Sequence, residues 1–92
     1  GFGTDYLRGD AGNDELIGGG GSGGDRRGSS GDDILRGSDD GADALYGEDG
    51  RDILYGFGGN DVIRGGDGDD IADGGAGDDF IEGNAGIDVL LG

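Results

Sequence analysis

The chain has 92 residues, of which 28 are Gly; 22 acidic side chains stand against 6 basic ones, giving a net charge of −16, and 30% of the residues are hydrophobic. Pro, Cys, Met, Trp, His and Lys are missing. That charge repels nucleic acid and anionic membrane surfaces, no apolar run is long enough for a signal peptide or a membrane span, and without Cys no disulfide forms. So little apolar surface, with so much Gly, ordinarily leaves a chain disordered, because burial cannot offset the backbone entropy. Any fold has to recruit positive charge from outside.

From the N-terminus the chain reads in units of nine, with Gly at positions 1 and 4, Asp at 6 and an aliphatic at 8. Residues 1–8 are the tail of a unit, carrying Asp5 and Leu7, and residues 9–17 (G-D-A-G-N-D-E-L-I) form a full one with Asp14 and Leu16. Residues 18–27 are irregular: 20–25 match G-G-x-G-x-D, ending on Asp25, with two residues added before them and Arg27 where the aliphatic belongs. Residues 28–36 are regular around Asp33 and Leu35, and residues 37–46 carry one extra residue before Asp43 and Leu45. From there the aspartates recur at intervals of nine, as Asp52, Asp61, Asp70, Asp79 and Asp88. Gly92 opens a unit that is cut off.

The Gly density and the nine-residue period exclude helices. Each unit reads as a six-residue Gly-rich turn followed by a three-residue strand, in which alternate side chains face opposite ways. Position 8 then points inward and positions 7 and 9 outward. Two units make one coil, and stacked coils bring parallel strands roughly 4.8 Å apart. The expected class is all-β: a right-handed parallel β-roll, a short β-solenoid of two nonapeptides per coil, spanning residues 1–92 as one module. Leu7, Leu45, Ile63 and Ile81 line one inner wall; Leu16, Leu35, Leu54, Ala72 and Leu90 line the other.

The pattern resembles the calcium-binding nonapeptide of the repeats-in-toxin (RTX) family, G-G-x-G-x-D-x-U-x with U a large aliphatic, over essentially the whole chain. Calcium takes six to eight oxygen ligands at about 2.3–2.6 Å, mixing carboxylates with backbone carbonyls. A single turn offers too few oxygens and two stacked turns offer enough. The resemblance implies ions held between such turns by the sixth-position carboxylates and the turn carbonyls. On one edge these are Asp5, Asp25, Asp43, Asp61 and Asp79; on the other, Asp14, Asp33, Asp52, Asp70 and Asp88. The turn donors are Gly47, Asp49, Gly50, Gly56, Gly58, Gly59, Gly65, Gly66, Asp67, Gly68, Gly74, Gly75, Ala76, Gly77, Gly83 and Gly86. Up to about eight Ca²⁺ fit, close to neutralising the chain. The chain departs from the family at position 2, where Asp10, Ser29, Asp39, Glu48, Phe57 and Asn84 replace Gly, and at Arg27, which puts a charge into a thin core.

Adjacent carboxylates such as Asp32-Asp33 and Asp78-Asp79 recur at structural spacing and lack His, Cys or Lys nearby, so a metal or solvent role is expected for them, not acid–base chemistry. The chain is read as non-catalytic. By the resemblance it is an internal piece of a secreted, extracellular bacterial protein exported by type I secretion, a monomer as a fragment, acting as a calcium-gated folding switch and spacer. The alternative is a carbohydrate- or surface-binding appendage, for which Tyr46, Tyr55 and Arg64 are the outward contacts. Position 7 carries Ile34, Ile53 and Ile71 on one outer face. Strand preference accounts for them; a docking stripe for the rest of the parent chain is the sharper reading.

Overall fold

A computed structural model describes residues 5–17, 24–37, 41–86 and 88–91, with backbone alone at Asp5, Tyr6, Leu7 and Gly24. The carboxylate of Asp5, the side chain of Leu7, Asp39, and residues 18–23 of the irregular unit lie outside the described residues. The described residues form ten short strands and no helix. In chain order they are β1 (Asp5–Arg8), β2 (Glu15–Ile17), β3 (Gly24–Arg27), β4 (Ile34–Arg36), β5 (Ala44–Tyr46), β6 (Ile53–Tyr55), β7 (Val62–Arg64), β8 (Ile71–Asp73), β9 (Phe80–Glu82) and β10 (Val89–Leu91). Odd strands make one five-stranded sheet and even strands the other, each in the order of the chain. Every pairing is parallel. Successive strands therefore alternate between sheets, two units per coil, as the parallel β-roll requires.

The nine-residue period leads to this arrangement through side-chain alternation. Position 8 of each strand faces the opposite sheet, and Leu35, Leu45, Leu54, Ile63 and Ala72 are fully buried there. Leu16 and Ile81 pack against them from the neighbouring coils. At the last coil Leu90 holds the same register against Ala72 but is 44% exposed, since β10 is the edge strand of its sheet. The molecule is a slab 31 × 25 × 13 Å. Its thin dimension leaves room for two sheets and one layer of inward side chains, so the core is a single file of aliphatics. On the outer face Ile34 and Ile53 are half-buried and Ile71 is exposed.

The structure corrects the reading of the irregular unit. β3 pairs Asp5 with Gly24, Tyr6 with Asp25, Leu7 with Arg26 and Arg8 with Arg27, and on its other side Arg26 meets Leu45. Gly24, not Asp25, stands in the sixth-position row, and Asp25 takes the outward position 7. Arg26, not Arg27, is the inward residue, 1% exposed. The ten-residue unit admits two frames that differ by one residue, and a strand flanked on both sides by parallel partners must take the frame its neighbours impose. Arg27 faces out, over the Tyr46 ring at 5.0 Å and 3.9 Å from Asp25.

The turns show why Gly recurs. At position 4, φ lies between +86° and +110° in every unit whose fourth residue is described. A Cβ on Gly31, Gly50, Gly68 or Gly86 would strike the carbonyl oxygen of the fourth-position Gly one coil before. Position 2 also takes positive φ, but here the chain places Asp10 (68°), Ser29 (73°), Glu48 (71°), Phe57 (68°) and Asn84 (65°). Left-handed backbone at a residue with a Cβ costs about 1 kcal/mol or somewhat more. Replacing Glu48 by Gly is therefore expected to stabilise the folded chain by about 1 kcal/mol, less the extra entropy Gly brings to the unfolded state. The midpoint of thermal unfolding checks this; a lower midpoint would contradict it.

Candidate metal centre

Each sixth-position Asp ends a turn and enters a strand, so its side chain lies at the edge where turns stack. On one edge the structure brings Asp14, Asp33, Asp52, Asp70 and Asp88 into line. The N–H of Asp14 donates to Asp33 Oδ1 at 2.8 Å, that of Asp33 to Asp52 Oδ1 at 2.9 Å, that of Asp52 to Asp70 Oδ1 at 2.8 Å and that of Asp70 to Asp88 Oδ1 at 2.9 Å. On the other edge the N–H of Asp43 donates to Asp61 Oδ1 at 2.8 Å and that of Asp61 to Asp79 Oδ1 at 2.9 Å. The carbonyl of the same aspartate accepts the N–H of position 7 in the next coil, as in Ile53 to Asp33 and Val62 to Asp43, both 2.8 Å. One carboxylate oxygen per unit is thus spent on joining coils.

The second oxygen is not. Oδ2 of Asp14, Asp33, Asp52, Asp61, Asp70 and Asp79 is buried without a hydrogen-bond partner, and Asp33, Asp52, Asp61 and Asp70 are 1% exposed as whole residues. A carboxylate oxygen buried in this way carries a full desolvation penalty. It is held against the first Gly of its own unit: a Cβ on Gly9 would lie 2.7 Å from Asp14 Oδ2, and one on Gly37 would lie 2.6 Å from Asp43 Oδ2. The same two points are met by the carbonyls of Gly28 at 3.0 Å and Gly56 at 2.8 Å, first-position glycines of the next coil. At Gly9, and likewise at Gly56 where Asp61 Oδ2 and the Gly74 carbonyl meet, an orphaned carboxylate oxygen and a carbonyl oxygen from the next coil thus converge beside a first-position glycine. Among the described residues no three acidic side chains gather around one point. The carboxylates stand in single file, and the further oxygens of any cation bound there belong to the turn backbone.

This donor set fits calcium. It is all oxygen, it alternates carboxylate with carbonyl, and its free carboxylate oxygens are buried with nothing opposite them. Expected turn donors at Gly56 and Gly74 are among those whose carbonyls the structure places beside a sixth-position carboxylate. Asp25 is not brought to either edge. Asp49 and Asp67 are exposed in their turns. The outward contacts are engaged by the chain itself: the Arg27 and Arg64 guanidinia lie over the Tyr46 ring at 5.0 and 5.9 Å, and Tyr55 stacks on Phe57 at 5.9 Å.

Sequence reasoning missed a second ladder one residue earlier. The Asp32 N–H donates to Asn13 Oδ1 at 2.8 Å, the Arg51 N–H to Asp32 Oδ1 at 2.9 Å and the Asp78 N–H to Asn60 Oδ1 at 2.8 Å. It runs opposite to the first: here the later coil donates to the earlier. The signal was present as Asn or Asp at position 5 in Asn13, Asp32, Asn60, Asp69 and Asp78.

Burial pushes the carboxyls of Asp33, Asp52, Asp61 and Asp70 up. Asp52 rises from the ordinary 3.8 to about 7, first through burial and then through the charges of Asp70, Asp33 and Asp32, against the lowering effect of the Asp33 N–H. Asp61 and Asp70 rise to about 6 and Asp33 rises as well, burial leading in each. Raised acids hold protons more tightly folded than unfolded, so their contribution favours the metal-free fold below the ordinary 3.8 and is lost as pH climbs through about 6 to 7. In the presence of a chelator, far-UV circular dichroism is expected to show more β structure at pH 4 than at pH 7.5. Loss of β signal on acidification would contradict this.

The chain matches the family model described as the RTX calcium-binding nonapeptide repeat in four copies, at residues 1–25, 27–54, 38–72 and 55–90. No curated protein and no solved structure matches it at a significant level. The copies cover nearly the whole chain and their period is the one the two sheets stack, so this is a calcium-binding repeat module belonging to the RTX nonapeptide repeat family.

Proposed function

We propose that the chain is a calcium-gated folding module: disordered while calcium is scarce, and folded into the β-roll when several Ca²⁺ enter between its turns. The observation that carries this is the row of buried Oδ2 atoms without partners at Asp14, Asp33, Asp52, Asp61, Asp70 and Asp79. Carboxylates in that state at neutral pH oppose the fold, and divalent cations turn them into its main support. The residues that would hold the ions are the described sixth-position aspartates and the first-position carbonyls beside them, such as those of Gly28, Gly56 and Gly74. Bound calcium supplies counter-charge and joins each coil to the next.

Six inter-coil steps have a sixth-position carboxylate on both sides, so six ions replace the count of about eight that an uninterrupted Asp row suggests. Because each ion bridges two coils, binding is cooperative along the stack. RTX repeats typically occur in secreted bacterial proteins, and the repeat is a structural, non-catalytic module. A switch of this kind suits export: the chain stays unfolded in a low-calcium cytosol and folds outside, where it acts as a rigid spacer.

The test is a far-UV circular dichroism titration with Ca²⁺, with Mg²⁺ as control, followed by addition of a chelator. Calcium is expected to raise a β signal cooperatively from a disordered baseline, and the chelator to reverse it. Magnesium, which demands octahedral geometry and gives up its waters reluctantly, is expected to do little. A flat calcium response together with a calorimetric ion count near zero would overturn the proposal.

A further inference from the structure

The file of inward side chains has one member out of keeping. Arg26 stands where its neighbours along the sheet place aliphatics, in register with Leu45 and then Ile63, and it is 1% exposed. A guanidinium does not shed its charge in a protein, so Arg26 carries a permanent cation into the core. Its Nη1 donates to Asp43 Oδ1 at 3.0 Å, with the two side chains 1% and 0% exposed.

The partner atom is informative. In Asp33, Asp52, Asp61, Asp70, Asp79 and Asp88, Oδ1 accepts the backbone N–H of the Asp one coil before. Asp43 has no Asp one coil before it, because the register places Gly24 in that row. The same short strand, β3, therefore departs from the repeat twice. It lacks the carboxylate its position calls for, and it carries a cation that reaches the next carboxylate in the row. The two departures are complementary in charge. On this edge the orphaned Oδ2 atoms are those of Asp61 and Asp79; Asp43 is not among them.

We infer that Arg26 is a built-in counter-ion that stands in for a divalent cation at the step between β3 and β5, so that this step takes no calcium. The inference rests on the calcium reading above and adds an exception to it. One carboxylate matched by one guanidinium leaves no charge for an ion to balance, and a calcium ion placed beside the guanidinium would be repelled by it. The β3–β5 junction thus carries its cation covalently, whatever the calcium concentration, while the steps between paired aspartates wait for theirs.

A misfit explanation makes the opposite forecast. A buried ion pair is often replaced by apolar side chains without loss, whereas removing one partner leaves a buried charge uncompensated. If Arg26 is a tolerated misfit, Arg26→Leu, which installs the side chain found at Leu35, Leu45 and Leu54, folds at equal or lower calcium. If it is the counter-ion of Asp43, Arg26→Leu raises the calcium midpoint about two- to three-fold, a modest shift because one lost pair is shared over all the ions of a cooperative transition. Arg26→Lys shifts it less. The double variant Gly24→Asp/Arg26→Leu, with the carboxylate restored and the cation removed, binds at least one ion more than the wild type, since position 24 lies in the row between Asp5 and Asp43.

The experiment titrates the 92-residue chain and these variants with calcium, following folding by far-UV circular dichroism and counting ions by calorimetry. An Arg26→Leu midpoint equal to or below that of the wild type overturns the inference, as does an unchanged ion count in a folded double variant. If the double variant does not fold, the direction of the Arg26→Leu shift decides. If Arg26→Leu never folds while Arg26→Lys does, the counter-ion role stands; failure of both overturns charge as the reason. A wild-type chain that binds no calcium removes the calcium reading, and this inference with it, a result distinct from any shift among the variants.

Discussion

Every coil of this protein is joined to the next through a carboxylate that is half satisfied. The sixth-position Asp gives one oxygen to the backbone N–H of the coil before and holds the other, buried, against the first Gly of its own unit. The first contact is a charge-assisted hydrogen bond and favours stacking. The second is a desolvated negative charge and opposes it, which is why burial dominates the upward shifts at Asp52, Asp61 and Asp70. With a single layer of aliphatics inside, hydrophobic burial is too thin to carry that opposition at neutral pH. What faces the second oxygen is therefore the pivotal question for the fold, and the family to which the chain belongs is one of calcium-binding repeats.

The turn geometry follows from the same constraint. A carboxylate can lie against the start of its own turn because position 1 has no Cβ, and turns can stack at strand spacing because position 4 has none either. Two side-chain ladders of opposite direction, at positions 5 and 6, then lock successive turns in register. Position 2 also takes positive φ, yet it holds Asp, Ser, Glu, Phe and Asn in five units; where it is Gly, at Gly66 and Gly75, a Cβ would meet the carbonyl oxygens of Glu48 and Phe57 one coil before.

Much of this was legible in the sequence because the period is short and the constraints repeat. Leu45, Leu54 and Ile63 could be assigned to opposite walls from spacing alone, and Asp52, Asp61 and Asp70 to opposite edges, since an error of one residue would break nine-residue regularity in both neighbours. Legibility failed where regularity failed. Around Arg26 and Arg27 the unit has ten residues, either Arg can be set inward by a shift of one, and neither is an aliphatic that would mark the frame. The register comes from pairing with β1 and β5, which is information from other coils. The Arg26–Asp43 contact spans 17 residues and could not be read before that register was known. The position-5 ladder escaped for a different reason: its acceptors are Asn or Asp in a chain already full of Asp, so composition hid the pattern.

The most direct measurement is a crystal structure of the chain grown in calcium, with the ions located by their anomalous scattering. The account predicts Ca²⁺ between successive coils on both edges, each touching Oδ2 of a sixth-position Asp such as Asp52 or Asp61 and a turn carbonyl of an adjacent coil. Calcium bound at the exposed carboxylates alone, with those Oδ2 atoms still facing no cation in a folded chain, would contradict it.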